Sequence, residues 1–343
     1  MQAQKNKIAP ISVLYLLCTS RLSVLLTSSQ AEGAVDLSGV LSALAAIPVI
    51  LLLSLPIFYC NKYGKTPFDN KAISVSYGVY FVFLGALNVY RFSLFTAFSL
   101  GDNLNIFFFG AILLICAVYS ATLGIEGFSR FSAMAFLMLI SGIIIALLLN
   151  IPNADLKNAV PFELSAKSFF KEGALFSLSG SELAVLFFIF PYVNGKSGKY
   201  FSLSVILSLV FTALVLIMSM LVLGNGTKYF EYPLFTLFQT AGISALSHIE
   251  VMFTAVFCFG IFVKLTLLIF CACECFKCSS KRTSVSLTAG LCAAGFLFIY
   301  FLFGRTPYKA PYFIAPFIIF CVIIPLFTLI FGKRKVEDSF EKL

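Results

Sequence analysis

Arg21 and Glu182 are the residues of this chain best placed to do chemistry, because each interrupts an apolar run amid small polar side chains. Around Arg21 the sequence reads CTSRLS, with Thr19, Ser20 and Ser23. Before Glu182 it reads SLSGSE, with Ser177, Ser179, Gly180 and Ser181. An ionised group in the middle of a membrane helix costs at least about 2.5–3.5 kcal/mol, so such residues are rare and mostly functional. Gly and Ser weaken helix continuity. A helix broken at mid-membrane frees backbone groups, which is tolerable only where they are buried in protein or line a cavity. Broken helices of this kind let many secondary transporters hold a small zwitterionic or anionic ligand. The pattern predicts a ligand site of Thr19, Ser20, Arg21, Ser179, Gly180, Ser181 and Glu182. Arg21 and Glu182 either pair directly across it or divide the poles of a zwitterion, the guanidinium taking the carboxylate and Glu182 the amine. The competing reading is that each charge pairs locally elsewhere.

Two further charges stand inside apolar runs: Arg91 in GALNVYRFSLF and Lys264 in FGIFVKLTLL. Snorkelling or a structural ion pair accounts for either. Glu126 and Arg130, four apart in GIEGFSR, share a helix face and can pair. That pair is either a latch on a cytoplasmic gate or an ordinary surface pair worth roughly a few tenths of a kcal/mol. Enzymatic chemistry finds no support. His248 is the only histidine, which excludes multi-histidine metal sites, and there is no acid cluster or nucleophile motif. The run CACECFKC has a spacing that could hold a soft metal, but it continues an apolar helix and no second ligand pair follows. The cysteines read instead as small hydrophobes. Neither a metal nor a cofactor is expected.

The elements that must position these residues are membrane helices. Of 343 residues 60% are hydrophobic and 11% charged, more apolar surface than a soluble domain can hide. The apolar runs are continuous rather than alternating, which selects helices over a barrel. Ten spans are expected, at about 11–29, 37–59, 72–98, 103–121, 128–150, 174–193, 200–223, 249–273, 285–303 and 311–332. The first carries Arg21 and no small-residue cleavage site, so it reads as a retained helix. Segment 232–246 is too short to span and reads as interfacial or re-entrant. With the N-terminus cytoplasmic, fifteen Lys and Arg fall inside and six outside, which places both termini inside. The net charge of +9 then reflects topology and gives no reason to invoke nucleic acid. The reading is an all-α polytopic membrane protein forming a single transporter-like domain over 1–343. Interruptions in spans one and six suit two inverted five-helix repeats, about 8–150 and 174–332, followed by a cytoplasmic tail, 333–343.

The stretch YSATLGIEGFSRFSAM, residues 119–134, resembles the G-[IL]-E-x-x-x-R signature of the endospore germination permease family. That family comprises the B subunits of spore germinant receptors, within the amino acid–polyamine–organocation superfamily. Supporting motifs are Asn88 to Arg91, Gly180-x-Glu182 followed by Pro191, Tyr232-Pro233-Leu234, and Ile249-Glu250. The resemblance covers nearly the whole chain. It implies a non-enzymatic subunit that binds a small nutrient, such as an amino acid, to trigger germination. It also implies A-type and lipoprotein C-type partner subunits and residence in the cell membrane, at the inner spore membrane. An active amino acid or cation symporter of the same fold stands as the alternative, since both need the same ligand site. Arg91, Glu126, Arg130, Glu250 and Lys264 are the candidates for gating or structural ion pairs. The family's first span usually carries a glycine-containing break, whereas this one reads CTSRLS, and an arginine there alters the ligand preference.

Overall fold

The structure, a computed structural model, describes residues 7–25, 37–67, 70–100, 105–159, 169–170, 173, 176, 179–241, 249–276, 281–305 and 314–331. Among these residues every extended regular element is a helix. In chain order they are α1 (Pro10–Leu22), α2 (Leu37–Lys62), α3 (Lys71–Leu100), α4 (Ile106–Leu123), α5 (Ile125–Asn150) and α6 (Val185–Ile189). Then come α7 (Gly198–Leu223), α8 (Pro233–Thr240), α9 (Ile249–Phe276), α10 (Lys281–Phe303), α11 (Ile314–Ile318) and α12 (Ile324–Phe331). Seven of them, α2, α3, α4, α5, α7, α9 and α10, are long and apolar enough to cross a bilayer. The chain is therefore an all-helical, multi-pass membrane protein. The outward faces of these helices are themselves apolar, with Leu52, Ile115 and Phe301 exposed. Lipid imposes no cost on such faces, whereas water would.

Helix α9 is the axis of the packing. Two-thirds of its apolar window lies inside the protein, and it packs against α1, α3, α4, α5 and α10. A helix that is apolar nearly all round can bury most of its surface against its neighbours. Around it α2 and α7 pack together, and α1 lies against α5 and α7.

Three shorter apolar stretches, Pro10–Leu22, Glu182–Tyr192 and Ala315–Ile330, fall where the first, sixth and tenth spans were expected. Helix α1 has thirteen residues. At 1.5 Å per residue that is about 20 Å, short of a hydrocarbon core about 30 Å thick. The sixth stretch is a 3₁₀ segment, Ser179–Ala184, followed by α6 and a second 3₁₀ turn, Phe190–Tyr192. The tenth is α11 and α12 joined by a π-helical segment, Ile319–Ile323. Pro325 explains that segment. It has no N–H to offer the carbonyls one turn back, and Tyr77 supplies the missing donor, its hydroxyl bonding Phe320 O at 2.9 Å. Tyr80 stacks on the Phe320 ring with centroids 4.3 Å apart. Helix α8 begins at Pro233 and is only eight residues long. Asn150 at the end of α5 holds it, donating to Leu237 O at 3.0 Å and accepting from Thr240 Oγ1 at 3.0 Å.

The glycine of the GIE motif has a backbone task. Gly124 alone separates α4 from α5, at φ 92° and ψ 173°. This region is essentially closed to side-chain-bearing residues, at a cost of order 1–3 kcal/mol. Gly124→Ala is expected to lower unfolding stability by about that amount. Gly290→Ala, at a helical position whose added Cβ would meet nothing within 4 Å, should leave stability close to wild type. Equal stability of the two variants would disprove the account.

Candidate functional site

The two short helices α1 and α6 are tied at one end. Ile8 N–H donates to Tyr192 O at 2.8 Å, and Asn194 N–H donates to Ile8 O at 3.0 Å. From that tie the chain climbs about 20 Å to Arg21 along α1, and a similar distance back from Val193 to Glu182. The bridge therefore brings Arg21 and Glu182 to comparable depth. Both α1 and α6 also pack against α9, which carries Lys264.

Glu182 is 1% exposed. Its Oε1 lies 2.5 Å from Lys264 Nζ, while Oε2 has no hydrogen-bond partner among the described residues. Opposite charges removed from water are retained only when paired, and this pair meets that condition. Glu182 also lies within electrostatic reach of Arg21 and Tyr80. The charges of Arg21 and Arg91 in turn act on Lys264. One carboxylate is thus reached by two basic side chains, Arg21 of α1 and Lys264 of α9, and Arg91 of α3 acts on the lysine.

Arg21 is buried, at 8% exposure, in the last turn of α1, where a cation suits the carbonyl end of a helix. Its Nε and Nη1 have no hydrogen-bond partner among the described residues, and neither does the buried Ser20 Oγ. No direct ion pair with Glu182 forms: Lys264 occupies that place. Thr19 Oγ1 reaches Ser132 O of α5 at 3.5 Å. On α3, Asn88 is buried with its Nδ2 unpartnered, one helical turn before Arg91.

Close packing fixes the end of α1. A Cβ added to Gly260 would stand 2.7 Å from Ser23 Cβ and 2.9 Å from Leu139 Cδ1. Only a glycine lets α9 approach both α1 and α5 at this height. Gly260 is one turn before Lys264, so the same face of α9 seats α1 and presents the lysine.

The remaining expected residues are more scattered. Ser179, Gly180 and Ser181 belong to the 3₁₀ segment, and Glu250 to the first turn of α9. The side chains of Ser179, Ser181 and Glu250 lie outside the described residues, as do Ser177 and His248. Glu126 and Arg130 pair at 2.6 Å, with side chains 40% and 80% exposed. Sequence reasoning placed Lys264 among ion-pair candidates without naming its partner. It also missed Asn88 as a buried unpartnered donor, and it missed Tyr77 and Tyr80. The one available signal for the tyrosines was Pro325, which must leave a carbonyl for some other donor.

The family described as spore germination protein, the spore permeases, matches residues 57–307, well over half of the chain. Among solved structures, the fold is similar to that of Mhp1, a nucleobase–cation-symport-1 family transporter in a closed conformation with bromovinylhydantoin bound. The TM-score is 0.62 at 12% identity, over 95% of this chain and 78% of that one. At that identity the likeness speaks for the fold alone. No curated protein matches the chain.

Proposed function

The chain belongs to the spore germination permease family, and from that premise we propose that it is a nutrient-sensing, permease-like subunit of a germinant receptor. It holds a small carboxylate-bearing nutrient, the class that includes amino acids, where α1 and the 3₁₀ segment end beside α9. The observation that carries this reading is Arg21, a buried guanidinium with two unpartnered nitrogens between two interrupted helices. Arg21 meets the ligand's carboxylate, and Thr19, Ser20, Ser179, Gly180 and Ser181 surround it. Glu182 forms the opposite wall, paired with Lys264. Ten spans in two inverted five-helix repeats, about 8–150 and 174–332, suit the seven long helices and the three shorter stretches. Arg91, Glu250 and the Glu126–Arg130 pair are the gating candidates. The protein resides in the inner spore membrane with A-type and lipoprotein C-type subunits.

Spores lacking the protein should lose their response to the nutrient this receptor serves, followed as the fall in optical density during germination. Deletion spores that respond normally to every nutrient mixture, with the partner subunits expressed, would refute the proposal. The symporter-like fold supports a second reading, active symport. Proteoliposomes distinguish the two: accumulation driven by an ion gradient favours symport, whereas binding without accumulation favours sensing.

A further inference from the structure

The unmet hydrogen-bonding capacity of the buried side chains on α1 and α3 is mostly of one kind. Arg21 Nε and Nη1 are donors, and so is Asn88 Nδ2 on the α3 face that carries Arg91. The Ser20 hydroxyl can also donate. The guanidinium stays protonated in any protein environment, and among the described residues no acid pairs with it. Glu182 lies within electrostatic reach of Arg21, but its charge is already matched by Lys264, so the cluster holds more positive than negative charge, a costly state for buried groups.

Among the described residues the unpartnered acceptors are the two oxygens of Glu182, whose charge Lys264 already matches. A broken membrane helix ordinarily offers free carbonyls to a ligand's ammonium or to a cation. Here the last carbonyls of α1 are occupied from within the chain. Thr19 O accepts from Ser23 N–H at 3.0 Å, Arg21 O from Val24 N–H at 3.2 Å and Leu22 O from Leu25 N–H at 3.1 Å. Ser20 O accepts from Ser23 Oγ at 2.9 Å. Ser23 thus closes the break with its own backbone and side chain. The remaining acid, Glu182, is already charge-matched by Lys264 at 2.5 Å, so a ligand's ammonium would bring a further cation to a cluster in which Arg21 and Lys264 already outnumber the one carboxylate.

We infer that the site at the end of α1 selects a small carboxylate that carries no ammonium group, such as a 2-hydroxy or 2-oxo acid, over the amino acid of the same skeleton. This rests on the reading of Arg21 as the ligand's principal contact. A carboxylate supplies the acceptors that the guanidinium and Ser20 lack, and a 2-hydroxyl or 2-oxo oxygen can accept one more bond. Charge-assisted bonds of this kind are the strong ones.

Lactate and alanine differ at one substituent, hydroxyl against ammonium, and so form the test pair. Binding is measured on the full-length protein in nanodiscs by calorimetry or thermal shift. Lactate is expected to bind at least tenfold more tightly than alanine. Arg21→Met should weaken lactate binding by a hundredfold or more. Arg21→Lys, which keeps the charge but loses the planar fork, should weaken it about tenfold and retain the preference for lactate. Alanine binding as tightly as lactate, with the same dependence on Arg21, would overturn the inference and leave the site in place. If neither compound binds, or binding is indifferent to Arg21, the inference and the underlying site reading both fall.

Discussion

Lys264→Met is expected to destabilise the folded protein by about 3–5 kcal/mol, the usual cost of removing one partner from a buried ion pair. The loss comes less from the vanished attraction than from Glu182, which is left charged at 1% exposure with no donor on either oxygen. Glu182→Gln should be at least as harmful, because Lys264 would then face Arg21 and Arg91 without its counter-charge. The double variant Glu182→Gln/Lys264→Met removes both charges and should recover most of the stability, since neutral replacement of a whole buried pair is often neutral or stabilising. Unfolding in detergent, followed across all four proteins, measures the coupling. If the two single-variant losses simply add in the double variant, the two side chains do not act as a pair. The Glu182–Lys264 contact would then have no energetic meaning.

Much of this arrangement was legible in the sequence, and the reasons for the remainder are physical. Hydropathy located the long helices because a membrane span must be apolar over its full length. It read 174–193 as one span, yet the described part is 3₁₀, α and 3₁₀ in succession. Apolarity reports burial, whereas the path of the backbone through Ser179–Glu182 depends on what surrounds it. Arg21 and Glu182 stood out as costly charges. The identity of Glu182's partner did not, because Lys264 is distant in the chain and no periodicity links them. The likeness of the two interrupted spans favoured Arg21 as the partner, whereas the rule that buried charges pair is met in the structure by Lys264. The small polar residues of CTSRLS suggested freed carbonyls. Ser23 instead recaptures them, the local back-bonding typical of serine, and this reverses what the break can offer a ligand. The GIE motif suggested an ion pair, and one is present at 2.6 Å. With the side chains this exposed it is worth little to stability, and the firmer structural requirement in that motif is the positive φ of Gly124.

Gly260→Val tests whether packing on α9 sets the position of Arg21. The first added carbon would already fall 2.7 Å from Ser23 Cβ and 2.9 Å from Leu139 Cδ1, distances that no repacking of valine itself can relieve. Leu139 is wholly buried and belongs to the cluster that also holds Leu14, Cys18 and Leu22 of α1. It cannot yield without disturbing that core, so the turn after α1 must move. Overpacking of this kind costs about 1–3 kcal/mol. The functional loss should exceed what that figure implies, because Ser23 also occupies the carbonyls of Thr19 and Ser20. Shifting it moves Arg21 and reopens acceptors at the end of α1 together. Ligand affinity is expected to fall at least tenfold, about 1.4 kcal/mol, in protein that still inserts and melts cooperatively. Gly290→Val, where the added Cβ meets nothing within 4 Å, controls for a valine in a membrane helix. If Gly260→Val melts and binds like that control, α9 does not position Arg21, and the geometry of the site has another origin.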